Sequence, residues 1–127
     1  MTPEAPQLHP VTILVVDDEA LIQMATSDML QDLGHETLEA SSGKEALEII
    51  RSGAAIDLVI TDQSMPGMTG IEFARAAREL RPDLPILLAT GYSDLPEGSD
   101  FGLPRLGKPY RQEELGARVS QLIGERR

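Results

Sequence analysis

The chain has 127 residues with 21 acidic and 11 basic side chains, which gives a formal net charge of −10 at pH 7. This length predicts a single domain, with no room in the chain for a separate output module. The negative charge disfavours binding to nucleic acid or to an anionic membrane surface. The absence of cysteine excludes disulfides, thiol catalysis and thiolate zinc sites.

The first ten residues contain three prolines and no apolar core, so we predict a disordered lead-in over 1–10. A folded domain is expected over 11–127. No apolar run in the sequence reaches the roughly 20 residues of a membrane-spanning helix. We therefore expect a cytoplasmic protein without a membrane anchor.

Strand and helix signals alternate along the rest of the chain. Short apolar runs rich in β-branched residues predict strands over 11–16, 36–40, 58–61, 86–89 and, more briefly, 105–107. Helical spacing predicts helices over 20–33 and 112–125, and two further helices that begin at capping boxes, Ser42 with Glu45 and Thr69 with Glu72. Gly34 is expected to end the first helix in a left-handed conformation.

The apolar residues of these helices predict which faces turn inward. The expected inward residues are Leu21, Ile22, Ala25, Met29 and Leu33 in the first helix, Ala46, Leu47 and Ile50 in the second, Phe73, Ala74, Ala77 and Leu80 in the third, and Leu115, Val119, Leu122 and Ile123 in the last. Two isolated histidines, His9 and His35, are expected at the surface.

One crossover departs from this alternation. The segment 93–104 contains two prolines and two glycines and has no helical period, although a helix is due there. We predict that this fourth helix is weak, irregular or brief, and that the segment is the most mobile part of the domain.

Five strands alternating with helices predict an α/β fold with a doubly wound, five-stranded parallel sheet between two helical layers. The expected strand order is 2-1-3-4-5, the flavodoxin-like arrangement. Ligands of such sheets bind at the carboxyl ends of the strands, near the point between strands 1 and 3 where the winding reverses.

Chemically useful side chains fall at this edge. Asp17 and Asp18 follow the first strand, Asp62 follows the third, and Thr90 and Lys108 follow the fourth and fifth. Clustered carboxylates without His or Cys favour a hard cation with open positions, and Mg²⁺ suits them better than Ca²⁺. A hydroxyl and an ammonium beside such an ion are suited to phosphoryl oxygens, which indicates phosphoryl chemistry.

Each of these residues also has an ordinary structural explanation. The acids after the first strand could cap the first helix, Thr90 could simply end a strand, and Lys108 could be a surface lysine. The functional interpretation is favoured because all of these residues fall at one edge of the same sheet.

The motifs resemble those of the response regulator receiver domain of two-component signalling, over about residues 11–123. The matching features are Asp17-Asp18, Asp62 with the stretch Met65-Pro66-Gly67-Met68-Thr69-Gly70, Thr90, and Lys108-Pro109-Tyr110. The stretch around Thr90 is similar to that of a single-domain subgroup named for a Phe-Ala-Thr-Gly-Tyr-like sequence, with Ile86 and Leu88 in place of its phenylalanines.

The resemblance implies a role for each site residue. Asp62 would be the phosphoacceptor, Thr90 the switch hydroxyl and Lys108 the contact to the phosphoryl group. Mg²⁺ would be held by Asp18, Asp62 and the backbone carbonyl of Ser64, with Asp17 acting through a metal-bound water. The bond between Lys108 and Pro109 would be cis.

The resemblance also implies partners and a limited catalytic role. The donor would be a histidine kinase or phosphotransfer protein, and the output would run through protein contacts or consist in acting as a phosphate sink. The chain would catalyse only its own phosphotransfer and dephosphorylation, rather than act as an enzyme on other substrates.

The sequence departs from the family at Arg105, where many receivers carry an aromatic residue whose rotation reports phosphorylation. Tyr92 could replace that reporter or could simply pack locally, and both readings remain open.

Three other functions compete with the stand-alone receiver. The same residues would suit a receiver domain of a hybrid histidine kinase. A Mg²⁺-dependent aspartyl phosphohydrolase is disfavoured because the D-x-D arrangement after the first strand is missing. A flavodoxin is disfavoured because Asp17-Asp18-Glu19 occupies the position of its phosphate-binding loop.

Overall fold

The computed structural model describes residues 10–91 and 103–125, and the architecture below refers to these residues. As far as residue 90, strands and helices alternate as the apolar pattern predicts. The elements are β1 (Thr12–Val16), α1 (Ala20–Asp32), β2 (Glu36–Ala40), α2 (Gly43–Arg51), β3 (Leu58–Asp62), α3 (Gly70–Leu80), β4 (Ile86–Thr90), β5 (Arg105–Gly107) and α4 (Gln112–Glu125).

The five strands form one parallel sheet in the order β2-β1-β3-β4-β5, which confirms the predicted topology. Because the strands run parallel, their carboxyl ends share one edge of the sheet. β3 ends at Asp62, whose register partner on β4 is Ala89, one residue before Thr90. This register brings the site residues of the two strands to the same level.

Helices cover both faces of the sheet, and the strand residues alternate between two apolar cores. Leu14 and Val16 face the core that includes Leu47 of α2 and Phe73 of α3. The opposite core contains alternate strand residues, such as Ile13 and Val15, together with Leu30 of α1 and with Leu115 and Val119 of α4. This alternation follows the two-residue period of a strand buried on both sides.

The helix ends confirm most of the predicted capping. Thr69 and Glu72 form a complete capping box at the start of α3, and Gly34 follows α1 with φ of 100°. The box predicted for α2 forms only in part. The Ser42 side chain accepts from the Glu45 N–H, but the Glu45 carboxylate accepts from the N–H of Ser41 at 2.7 Å, one residue further back than a capping box requires.

The face of α1 that turns inward differs from the prediction. Leu21 is 81 % exposed, and the buried residues of the helix are Gln23, Thr26, Ser27 and Leu30. Gln23 and Thr26 tolerate burial because their side chains find hydrogen-bond partners beneath the helix.

Two smaller expectations are also wrong. Leu80 is 41 % exposed because it is the last residue of α3, where the chain turns away in an extended conformation at Arg81. His35 is buried rather than at the surface, because after the turn at Gly34 the chain runs alongside Val11, just before β1. There its Nδ1 accepts from the Val11 N–H at 3.3 Å.

Several predictions fall on residues outside the described ranges. These are the lead-in over 1–9, His9, Tyr92 and the segment 93–102. Across the residues that are described, no helix is both long enough and apolar enough to cross a membrane.

Candidate functional site

Three carboxylates meet at the carboxyl edge of the sheet, as the sequence predicts. Asp17 and Asp18 follow β1 and Asp62 ends β3, and one oxygen from each lies within 4.8 Å of the other two. Asp17 and Asp62 are buried, whereas Asp18 is exposed. The edge therefore presents an acidic pocket that opens to solvent on the Asp18 side.

The Lys108 ammonium enters this pocket from the segment after β5. Its Nζ lies 2.6 Å from Asp62 Oδ1 and 3.9 Å from Asp17 Oδ2. Burial lowers the pKa of Lys108, but the hydrogen bond and the charge of Asp62, together with the charge of Asp17, outweigh it and raise the pKa overall. The ammonium is thus fully protonated at neutral pH.

The pKa of the Asp17 carboxyl group is raised in this crowded pocket. Burial raises its pKa, and repulsion from Asp62 and Asp18 acts in the same direction. The Glu19 N–H, which donates to Asp17 Oδ1 at 2.9 Å, and the charge of Lys108 offset these effects only in part. Three carboxylates and one ammonium leave the pocket a formal charge of −2 when all are ionised.

The structure also shows whether the acids after β1 cap α1 or belong to the acidic pocket. Glu19 is the N-cap residue of α1, yet within the described chain its side chain makes no capping hydrogen bond. Asp17 accepts from the Glu19 N–H but also faces Asp62 and Lys108. Capping therefore explains at most one hydrogen bond of Asp17, and it does not explain why the three acids lie together.

Thr90 lies at the same edge and is buried at the end of β4. Its hydroxyl donates to the Gly91 carbonyl at 3.2 Å, and its own carbonyl accepts from the Lys108 N–H at 3.0 Å. The backbone thus joins the Thr90 and Lys108 positions directly. Pro109 follows in the cis conformation, as the resemblance implies.

The loop after Asp62 packs closely against the start of α3. A Cβ atom at Gly70 would collide with the Asp62 carbonyl oxygen, so glycine is required for this approach. The Gln63 side chain accepts from the Ile71 N–H at 3.0 Å, which fixes the loop to the helix. Ser64 is exposed two residues beyond Asp62, and its proposed role as a metal ligand stays a prediction.

Sequence reasoning missed two contacts from α1 to the site. Gln23 Nε2 donates to the carbonyl oxygens of Ala40, at 2.8 Å, and Asp17, at 3.3 Å. The Thr26 hydroxyl lies 2.6 Å from the Tyr110 hydroxyl. No spacing in the sequence relates these pairs, because each joins segments that only the folded chain brings together.

The fold and this pocket define a class of protein, and comparison with known proteins names it. The family model of the response regulator receiver domain matches residues 13–120, so the chain belongs to that family. It is therefore a receiver domain of two-component signalling.

Individual relatives agree with this assignment. The chain is 43% identical over 118 residues to the chemotaxis protein CheY of Pseudomonas aeruginosa, covering 87% of this chain and 94% of that protein. It is 34% identical over 119 residues to the sensor kinase CckA of Brucella abortus, covering 88% of this chain. The chain spans 12% of that kinase and 51% of the response regulator MprA of Mycolicibacterium vanbaalenii.

Solved structures show the same fold. A response regulator receiver protein from Sinorhizobium medicae WSM419 superposes with a TM-score of 0.84 at 38% sequence identity. The match covers 95% of this chain and 100% of the Sinorhizobium chain.

Proposed function

We propose that this receiver accepts a phosphoryl group on Asp62 from the phosphohistidine of a histidine kinase or phosphotransfer protein. The observation that carries the proposal is the position of the Asp62 carboxylate, which ends β3 in the acidic pocket with Lys108 Nζ 2.6 Å away. Among the three clustered acids, Asp62 combines burial with the shortest contact to the ammonium.

In the proposed reaction, a carboxylate oxygen of Asp62 forms a bond to phosphorus as the bond from phosphorus to the histidine nitrogen breaks. The leaving imidazole keeps the electron pair of that bond. The Lys108 ammonium then moves its contact from the carboxylate to a phosphoryl oxygen, and the Thr90 hydroxyl donates to another. Both groups supply the donors that an added anion needs at the edge of the sheet.

The donor set also suits Mg²⁺. Three hard carboxylate oxygens within 4.8 Å of one another, and a pocket charge of −2, fit a divalent cation that keeps several waters. Asp18, Asp62 and the Ser64 carbonyl would hold it directly, with Asp17 acting through water. When bound, the ion would neutralise charge on the phosphoryl oxygens.

The test is phosphorylation with acetyl phosphate in the presence of Mg²⁺, followed by intact mass. We expect the wild-type chain to gain one phosphoryl group and Asp62→Asn to gain none. The matched control is Asp83→Asn, an exposed aspartate in the loop before β4 at the opposite edge of the sheet, which should label like the wild type. Labelling that persists in Asp62→Asn would contradict the assignment.

We propose further that the chain catalyses only its own phosphotransfer and dephosphorylation. A Mg²⁺-dependent phosphohydrolase would instead turn over a phosphate ester in excess of protein. Phosphate release from p-nitrophenyl phosphate that exceeds one equivalent per chain would contradict this part of the proposal.

A second candidate is a receiver domain that works within a hybrid histidine kinase, which the 34% identity to CckA favours. The chemistry at Asp62 would be the same. A separate kinase that phosphorylates this chain much faster than other kinases do would favour the stand-alone receiver, whose output is protein contact or storage of phosphate.

A further inference from the structure

Lys108 lies on a short segment with few anchors. β5 has three residues and occupies the edge of the sheet, and Lys108 follows it directly. The Lys108 N–H donates to the Thr90 carbonyl at 3.0 Å, and α4 begins four residues later at Gln112. The side chain itself is a flexible four-carbon stem. Its placement therefore depends on how firmly the backbone of residues 108–111 is held.

Tyr110 joins this segment to α1. Its hydroxyl lies 2.6 Å from the hydroxyl of Thr26, which is 2 % exposed in α1. Burial raises the pKa of Tyr110 overall, although the Thr26 hydrogen bond and the charge of Lys108 oppose it, so the phenol keeps its proton at neutral pH. Both groups also line a surface groove of about 470 Å³ that reaches Lys108 and Pro109.

The same face of α1 is bonded to the acidic side of the pocket. Gln23, one turn before Thr26, donates to the carbonyls of Asp17 and Ala40 at the ends of β1 and β2. α1 thus contacts both sides of the pocket. Gln23 binds the backbone of Asp17, and Thr26 binds Tyr110 in the segment that carries Lys108.

We infer that Thr26 and Tyr110 are positioning residues, and that their hydrogen bond fixes the segment carrying Lys108 for phosphoryl acceptance at Asp62. The inference rests on the proposed function. Neither hydroxyl needs to touch the phosphoryl group, since both act through the placement of Lys108.

The experiment measures the rate of labelling by acetyl phosphate, a donor small enough to need no protein interface. Tyr110→Phe keeps the ring and removes the hydroxyl, and we expect the limiting rate constant to fall by about tenfold, because small misplacements of a catalytic charge are costly. The Mg²⁺ concentration at half-maximal rate should not change, because the three carboxylates are untouched.

Variants of Thr26 separate positioning from general packing. Thr26→Val should slow labelling as Tyr110→Phe does, and Thr26→Ser, which retains a hydroxyl, should restore a rate near that of the wild type. The double variant Tyr110→Phe/Thr26→Val should be no slower than either single variant, because both remove one interaction.

The matched control is Gln112→Met. Gln112 Nε2 donates to the Met29 carbonyl at 3.1 Å and to Asp32 Oδ2 at 3.0 Å, so it also joins α1 to the last helix but without involving Lys108. Its labelling rate should equal that of the wild type. Melting curves for every variant show which are folded, and if Tyr110→Phe is not, the pair Thr26→Ser and Thr26→Val decides.

Three results would overturn the inference: unchanged labelling in Tyr110→Phe and Thr26→Val, equal slowing in Gln112→Met, or a Thr26→Ser variant as slow as Thr26→Val. An absence of labelling in the wild-type chain would instead contradict the proposed function, and the inference would fall with it.

Discussion

The Asp17 carboxyl group is ionised less readily in the folded chain than in the unfolded chain. It is 5 % exposed, and burial together with the charges of Asp62 and Asp18 raises its pKa. The Lys108 ammonium, 3.9 Å away, compensates only in part because its short contact is with Asp62. In the absence of a cation, the ionised Asp17 carboxylate therefore lowers the stability of the folded chain.

We expect Asp17→Asn to be more stable than the wild type at neutral pH in the presence of a chelator. The amide oxygen can still accept from the Glu19 N–H, while the repulsion from Asp62 disappears. Urea denaturation with EDTA measures the difference. A variant that is less stable than the wild type under these conditions would show that the contact with Lys108 outweighs burial and repulsion.

His35 makes the stability of the protein depend on pH at a position away from the acidic pocket. It is 6 % exposed, and burial lowers its pKa from the ordinary value of 6.5. The unfolded chain then binds the proton more readily than the folded chain does. The stability contributed by neutral His35 is present above the ordinary pKa and is lost as pH falls through that value towards the lowered one.

We expect the wild-type melting temperature to fall between pH 7.5 and pH 5.5, and His35→Gln to show a smaller fall. Glutamine retains an oxygen that can accept from the Val11 N–H and has no titration in this range. The comparison uses the difference between the two pH values within each protein, which removes any constant change in packing. Equal falls in both proteins would assign the dependence to other groups.

The residues of the site could be predicted from the sequence better than their surroundings. The site residues all lie at or just after the carboxyl end of a strand, and a parallel sheet gathers such positions at one edge; they are Asp17, Asp18, Asp62, Thr90 and Lys108. The contacts of Gln23 and Thr26 could not be predicted, because their partners come from β2 and from the segment after β5. Side chains of ordinary type give no local signal of such long-range pairing.

At the scale of elements, α1 shows that helical periodicity predicts the presence of a helix more reliably than it predicts which face of the helix is buried. Two sets of residues in α1 have helical spacing: the apolar set that begins with Leu21, and the buried set Gln23, Thr26, Ser27 and Leu30. The end of β2 supplies a partner for Gln23, and Tyr110, in the segment between β5 and α4, supplies one for Thr26. That choice depends on the whole fold and is absent from the local sequence.

A pair of leucine variants tests this orientation. Leu21→Ser should change the free energy of unfolding by less than about 0.5 kcal/mol, since the side chain is 81 % exposed. Leu30→Ala, at a fully buried position of the same helix, should cost about 2–5 kcal/mol. Urea denaturation measures both. Comparable losses in the two variants would mean that Leu21 is buried in solution.

The whole molecule should respond to the cation that its pocket favours. Under the proposed function, Mg²⁺ would bind the native cluster in preference to the unfolded chain, so the melting temperature should rise with added Mg²⁺. Asp18→Ala should reduce that rise, because it removes an exposed carboxylate of the cluster. Glu48→Ala, an exposed acid of α2 outside the cluster, provides the control. An undiminished response in Asp18→Ala would count against the metal site.

The topology of the molecule followed from the sequence with few assumptions. Strands alternating with helices, joined by right-handed crossovers, leave few possible orders, and the observed order β2-β1-β3-β4-β5 is the one expected. Even β5, with only three residues, lies where the pattern places it. The burial of His35 was not predicted, because it involves a contact with Val11, which lies 24 residues earlier in the chain.

The strand order also leaves β2 and β5 at the two edges of the sheet, where backbone groups could template the addition of a foreign strand. β2 carries Glu36 and Glu39, both exposed, so a second copy approaching along it would bring carboxylates against carboxylates. β5 is too short to offer a long ladder. We therefore expect the strand order that places the acidic pocket between the inner strands to disfavour edge-to-edge aggregation as well.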